Sequence, residues 1–321
     1  MKKRAKLICI LSVLLVLTLT ITACGYQSDH ITVLSTNPPE QKQLTIYTSL
    51  PEVIYLPIVR EFENRTGIWV EVETGNTISK LESVASGESN EADLLFGCQP
   101  DVIEQYKGLF THYDSLNGSK ISETYSSADG LWQPFAVNRL VAIYNSKLLS
   151  EYQPNSWKGI FLSGWNKQVA YVSPERSDVG FVTLRTVANA LDISGDELLS
   201  MLVPELEYDT CERVLEAVVR GQCYFGIVTE DVAIRAIADG SDIDVIYPKE
   251  GDYQYPCATA IFGACAHEAN AQRFVDFIQE KNVQEYLGDN FAMHTIYKQI
   301  APEDHGVARQ KAEEQSEEVK Q

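Results

Sequence analysis

Apolar positions along this chain switch repeatedly between two spacings. Leu44-Thr45-Ile46-Tyr47 is a short run of strand type. Within Glu52–Arg65, Tyr55, Ile58, Val59 and Phe62 recur at helical spacing, and Gly67 stands where a helix stop is wanted. Ile68–Glu73 then alternates apolar and polar, the pattern of a half-buried strand. A helix over Ile78–Ser86, a strand over Asp93–Phe96 and a helix over Asp101–Lys107 follow. Strand, helix, strand, helix, strand predicts a parallel sheet with right-handed crossovers.

The same alternation returns downstream. Leu140–Tyr144, Val169–Val172, Cys223–Val228, Ile243–Tyr247 and Ala258–Phe262 are predicted strands. Phe181–Leu191, Cys211–Arg220, Glu230–Asp239 and Ala269–Gln279 are predicted helices, two of them stopped by Gly221 and Gly240. Beyond Pro302 the chain is charged and aperiodic, so 302–321 is expected to be a disordered acidic tail. No repeat of solenoid length is visible. Roughly 280 ordered residues exceed one comfortable core, and two α/β lobes are the expectation.

The N-terminus changes where this domain is placed. Lys2, Lys3, Arg4 and Lys6 precede an uncharged run from Leu7 to Ala23, too short and too leader-like for a membrane span. Ile21-Thr22-Ala23-Cys24 resembles a bacterial lipobox, with cleavage before Cys24 and diacylation of its sulfur. An ordinary signal peptide with an incidental cysteine is the alternative. Acyl chains on Cys24 would hold the protein at the outer face of the cell membrane. Residues 24–43, polar and carrying Pro38-Pro39, read as a flexible tether.

Charge narrows the partners. The full chain has 26 Lys and Arg, four of which leave with the leader, against 45 Asp and Glu. So acidic a surface repels nucleic acid and anionic lipid, and neither is an expected partner. Of seven cysteines, Cys9 leaves with the leader and Cys24 is acylated. Cys98, Cys211, Cys223, Cys257 and Cys265 remain, an odd set that allows one internal disulfide or scattered free thiols. The five histidines are dispersed and no CxxC is present, so no metal site is expected. There is no P-loop, HExxH or nucleophile elbow, and no enzymatic activity or cofactor is expected.

Six segments, in order, carry a family resemblance: "LTIYTSLPEVIYLPIVREFENRTGIWVEVETGNT", "ADLLFG", "VAIYN", "GQCYFGIVTEDVA", "VIYPKEG" and "NAQRFVDFIQEKNVQ". They resemble the extracellular solute-binding proteins of ABC importers, in the branch holding ferric-ion, phosphonate and sugar-phosphate receptors. The resemblance runs from about Leu44 to Ile300. It implies a two-lobed periplasmic-binding-protein-like (type II) fold, with ligand captured in the cleft between lobes joined by two hinge strands. Lobe 1 would comprise 44–137 plus 256–301 and lobe 2 138–255, with crossings near Phe135–Leu140 and Pro248–Ala258.

The resemblance also implies site residues, each with a plainer competing role. Thr48 or Ser49 would meet ligand where a strand opens a helix, although Ser49-Leu50-Pro51-Glu52 also reads as a capping box. Asn76 and Thr77 stand where relatives carry Gly-Gly-Thr, and Thr77 could equally be an N-cap. Gln99 follows Phe96-Gly97-Cys98, where relatives have glycines that let backbone approach the ligand. Cys98 has no basic neighbour in sequence to activate it. Arg139, at the first crossing, could bind carboxylate or phosphate, or be a surface charge. Ser177 and Gly180 survive from a phosphate cradle that Asp178 and Val179 interrupt. Thr229 and Glu230 follow a strand of the second lobe, where acids accept hydrogen bonds from ligand, or merely complement a helix dipole. Ferric receptors of this branch carry an adjacent tyrosine pair at that place, and this chain does not.

The expected function is therefore capture, without chemistry, of a small polar solute, anionic by the resemblance, for an ABC permease. The altered cleft residues keep a second reading open, a sensory lipoprotein reporting to a membrane histidine kinase, and an Fe(III) receptor is a third. The chain is expected to act as a monomer.

Overall fold

The computed structural model describes residues 38–88, 90–149, 154–250 and 254–298. The leader, Cys24 and the tail lie outside them. The folded chain begins earlier than the tether reading placed it. Glu40–Lys42 is a 3-10 turn and Gln43 opens the first strand. Asn270 fixes this entry by donating to the carbonyls of Gln41 and Gln43.

In chain order the elements are β1 (Gln43–Thr48), α1 (Glu52–Thr66), β2 (Trp69–Thr74), α2 (Thr77–Ala85), β3 (Leu94–Cys98), α3 (Pro100–Gln105) and β4 (Gln133–Asn145). Then come α4 (Trp157–Phe161), β5 (Val169–Val172), α5 (Asp178–Leu191), α6 (Gly195–Met201), β6 (Glu207–Tyr208), α7 (Cys211–Val219), β7 (Phe225–Thr229) and α8 (Glu230–Ala238). The chain closes with β8 (Ile243–Ile246), β9 (Gln254–Ile261), α9 (Glu268–Ile278) and α10 (Lys281–Phe291). Among the described residues no helix is long and apolar enough to cross a membrane.

The strands form one curled sheet in the order β2-β1-β3-β9-β4-β7-β5-β6, with β8 on β4. At one end β1 runs parallel to β2 and β3, and at the other β5 runs parallel to β6 and β7. The middle is antiparallel. β4 pairs with β9 from Gln133 to Arg139, then with β7 from Leu140 to Tyr144. One thirteen-residue strand thus serves both halves of the sheet.

Each half has its own apolar packing. Phe62, Phe96 and Phe274 meet edge to face beneath β1 and β3, an arrangement worth more than its buried area alone. Trp157, Phe161 and Phe225 fill the other half, together with Val187 and Leu198.

Several elements lay beyond the periodic signal. The first half of β4 carries Pro134, Asn138 and Arg139, which break the apolar run, yet it pairs with β9 along one edge and bridges to His294 through Val137 on the other. Short α4 and α6, and α10, were likewise not predicted. Conversely, α5 starts three residues earlier than its apolar stripe, because Ser177 and Asp178 supply an N-terminal turn.

Close approach of α5 to β5 explains Gly180, one of the residues expected at the ligand. A Cβ there would lie 2.1 Å from the Ser173 carbonyl oxygen and 2.7 Å from that of Val172. The glycine serves helix-on-strand packing. Gly180→Ala should therefore lower stability by about 2 kcal/mol or more, read as the denaturation midpoint; an unchanged midpoint would show that α5 can shift freely.

Candidate functional site

A cavity of about 960 Å³ opens between the two halves of the sheet. Its walls follow from the topology. Parallel strands deliver their C-terminal ends to the middle of the molecule, and the helix after each strand starts there. Five helices, α1, α2, α5, α7 and α8, have first-turn residues in the lining, and α3 contributes its N-cap Gln99. Their initial N–H groups lack intrahelical partners and carry the positive end of the helix dipole. From β4 and β9 come Asn138, Tyr255 and Cys257.

Six of the expected ligand residues line this cavity: Ser49, Asn76, Thr77, Gln99, Ser177 and Thr229. The helix that Ser49 precedes is capped by Pro51 with no side-chain bond, so the expected capping box does not form. Instead Ser49 Oγ donates to the Gly97 carbonyl at 3.3 Å. Asn76 caps α2, its Oδ1 accepting from the Ser79 amide at 2.8 Å, and its Nδ2 donates across the cavity to the Arg176 carbonyl. Thr77 is 2 % exposed and its hydroxyl has no hydrogen-bond partner among the described residues. Gln99, Ser177 and Thr229 hold N-cap positions without side-chain cap bonds.

Gly97 has a φ of +84°, and a Cβ would collide with Leu50 at 2.4 Å. The β3–β9 register shifts at this point, between Phe96 and Cys98, and Cys98 and Gln99 stand in the cavity wall just beyond it.

Four expected residues do not reach the lining. Thr48 is fully buried, donating to the Phe96 carbonyl at 2.6 Å and accepting from the Leu50 amide at 3.1 Å. Gly180 is taken up by packing. Arg139 and Glu230 belong to a buried cluster beside the cavity. There Glu230 accepts from Tyr247 Oη at 2.8 Å, pairs with His294 Nε2 at 2.9 Å and has Arg139 at 3.6 Å. Burial pushes the Glu230 carboxyl up, but the His294 hydrogen bond and the Arg139 charge outweigh it and hold it below the usual range. Successive helix residues point about 100° apart. Hence Glu230 turns into this cluster while its neighbour Asp231 lines the cavity.

Asp231 was not chosen from sequence, and neither was Asp178. Asp231 accepts from Asn138 Nδ2 at 3.1 Å and pairs with Arg235 at 3.1 Å. Asp178 accepts from the Val179 amide at 3.1 Å, and the Gln99 backbone amide faces it from the opposite wall. Burial raises its carboxyl from 3.8 to about 6, and no cationic side chain offsets this. Interruption of the expected phosphate cradle by Asp178 was visible in the sequence. Its occupation of that cradle was not, because Gln99 meets it only through the fold.

Cys98, Cys211 and Cys257 also line the cavity, and the five described cysteines are free thiols. Burial raises Cys98 and Cys257 far above their usual range and Cys211 to about 12, so all three remain protonated. Among the described residues no three His, Cys, Asp or Glu side chains converge as a metal site.

Residues 92–313 match the profile of the bacterial extracellular solute-binding proteins. The chain is 22% identical over 298 residues to iron uptake protein A1 of Synechocystis, covering 84% of this chain and 79% of that protein. Among solved structures, a two-component system protein that mediates signal transduction superposes with a TM-score of 0.71 at 19% identity, covering 83% of this chain and 90% of that one. The substrate-binding protein of an ABC transporter from Agrobacterium tumefaciens superposes with a TM-score of 0.70 at 18% identity, covering 84% and 83%. These likenesses establish the periplasmic-binding-protein-like type II fold.

Asp178 gives a stability test. An acid whose folded value lies above its unfolded value loses stability as pH rises from about 4 through about 6 and levels off beyond. Asp178→Asn should thus stabilise the protein by about 1–2 kcal/mol at pH 7.5 and by little at pH 4, followed as thermal midpoints. A variant destabilised at pH 7.5 would show that the carboxylate is well solvated.

Proposed function

This chain belongs to the bacterial extracellular solute-binding protein family, and we propose that it captures a small polar solute in the cavity between its halves and presents it to an ABC permease. The Agrobacterium likeness supports the transport setting. The Thr77 hydroxyl carries the capture reading. A buried hydroxyl left without a partner costs free energy, and this one belongs to a residue in the wall of a cavity onto which six helix N-termini open. Solute oxygens would satisfy Thr77, Ser49 and the free first-turn amides.

Ligand would stabilise a closed arrangement through contacts that span the cavity. Asn76 reaches the Arg176 carbonyl, Arg185 pairs with Asp101, and the Gln99 amide meets Asp178. β4 and β9 would act as the hinge about which 44–137 plus 256–301 moves relative to 138–255. Binding and release need no covalent step.

The expectation of an anionic solute has mixed support. Helix N-termini favour it, but the lining side chains bring two arginines, Arg176 and Arg235, against five carboxylates. The likeness to a signal-transducing two-component protein supports a second reading, in which the closed form reports solute to a membrane kinase. The iron-uptake relative raises the ferric reading, for which the lining lacks an adjacent tyrosine pair.

Thr77→Val should keep or slightly raise the thermal midpoint. It should also lower, about threefold to tenfold, the amount of small molecule that co-purifies with the protein and is released on denaturation, measured by mass spectrometry. Undiminished co-purification would remove Thr77 from the site.

Anchoring is the second part of the proposal. Cys24→Ala should move the protein from the membrane fraction into the medium or periplasmic extract, followed by fractionation and immunoblot. Retention in the membrane fraction would refute acylation at Cys24.

A further inference from the structure

We infer that the captured solute carries a positively charged nitrogen, an ammonium or amidinium group, seated against Asp178. This rests on the capture reading and adds the chemical class. The side-chain charges around the cavity sort into pairs with two acids left over, Glu52, exposed at the start of α1, and Asp178 in the wall. Arg176 is held by Asp209 at 2.7 Å, and Arg235 by Asp231 at 3.1 Å with Glu212 at 3.9 Å. Asp178 is half-buried in the cavity wall, accepts from the Val179 amide and pairs with no cationic side chain among the described residues.

Its position also removes the place that an anion would take. The N-terminus of α5 is one of the anion sites that the wall could offer. There Asp178 accepts the Val179 amide, and the Gln99 amide approaches from the facing wall. A phosphate or carboxylate would have to sit beside a half-buried carboxylate that already holds the Val179 donor. A cation meets no such conflict, and its charge replaces the counter-ion that Asp178 lacks. The groups facing Asp178 from the packed strands do not compete. Cys98 of β3, and Tyr255 and Cys257 of β9, are kept protonated by burial.

The rest of the site fits a solute with polar and apolar parts. Thr77 offers its unpartnered hydroxyl from the first half of the sheet. Leu50, Val179, Val232 and Met293 supply apolar surface in the same lining. A nitrogen at Asp178, an apolar body and an oxygen toward Thr77 together describe an aminated small molecule.

The test is calorimetric titration of the chain purified without its leader. One panel holds ethanolamine, putrescine, agmatine and L-lysine; a second holds inorganic phosphate, fructose 6-phosphate and citrate; a third is Fe(III) as its nitrilotriacetate. At least one ammonium compound should bind, and Asp178→Asn should weaken it tenfold or more. Wild-type affinity for it should fall about tenfold from pH 7.5 to pH 5, as a carboxyl near 6 takes up its proton, and the slope should vanish in Asp178→Asn. Binding of the anions or of iron without the ammonium compounds overturns the inference and leaves solute capture standing. Ammonium binding indifferent to Asp178→Asn overturns it as well. If no probe binds, the inference falls, and the co-purification measurement, which presupposes no ligand, decides the capture reading separately.

Discussion

Helix entry governs this molecule. Each half of the sheet sends the C-terminal ends of its parallel strands toward the centre, so α1, α2, α3, α5, α7 and α8 all begin at the same cavity. A helix start leaves N–H groups that must find acceptors. Six starts at one place create a demand that the fold cannot meet with secondary structure. Side chains meet part of it: Asn76 caps α2, Thr210 caps α7 through the Arg213 amide, and Asp178 turns back on α5. The remainder is what a solute can use.

The acids of the first turns show how one dipole argument divides into different outcomes. Glu230 and Asp178 both open helices at the cavity. Glu230 found a histidine and an arginine in the packed layer behind it, and its carboxyl is held low. Asp178 found only amides, and burial holds its carboxyl high. The first is compensated and structural. The second stores unfavourable free energy at a site open to ligand, the arrangement expected where function and stability oppose each other.

Much of this was legible in sequence, for identifiable reasons. The α1 stripe and the alternation of Ile68–Glu73 gave elements within a few residues, because local burial sets local period. The resemblance drew Ser49, Asn76, Thr77, Gln99, Ser177 and Thr229 toward one cleft, and all six line it. What failed was pointing rather than placement. Arg139 and Glu230 are near the cavity in sequence and space but face the cluster with His294, a residue far along the chain. Gly180 looked like a cradle glycine and is a contact glycine against Ser173. Such orientations depend on what packs behind a strand or helix, and no single-sequence pattern records that.

The central strands bear on how such a site could be reversible. Two separate domains would need a sizeable interface to stay in register. Here β4 runs through both halves, Arg139 pairing with Gln254 on β9 and Leu140 with Thr229 on β7. Backbone hydrogen bonds therefore hold the halves together whatever the cavity contains. Contacts across the cavity, Asn76 to Arg176 and Asp101 to Arg185, involve exposed or half-exposed polar groups, and pairs of that kind contribute little in water. Closure then depends on what fills the cavity rather than on the walls' attraction for each other, which is the condition under which a solute can control it.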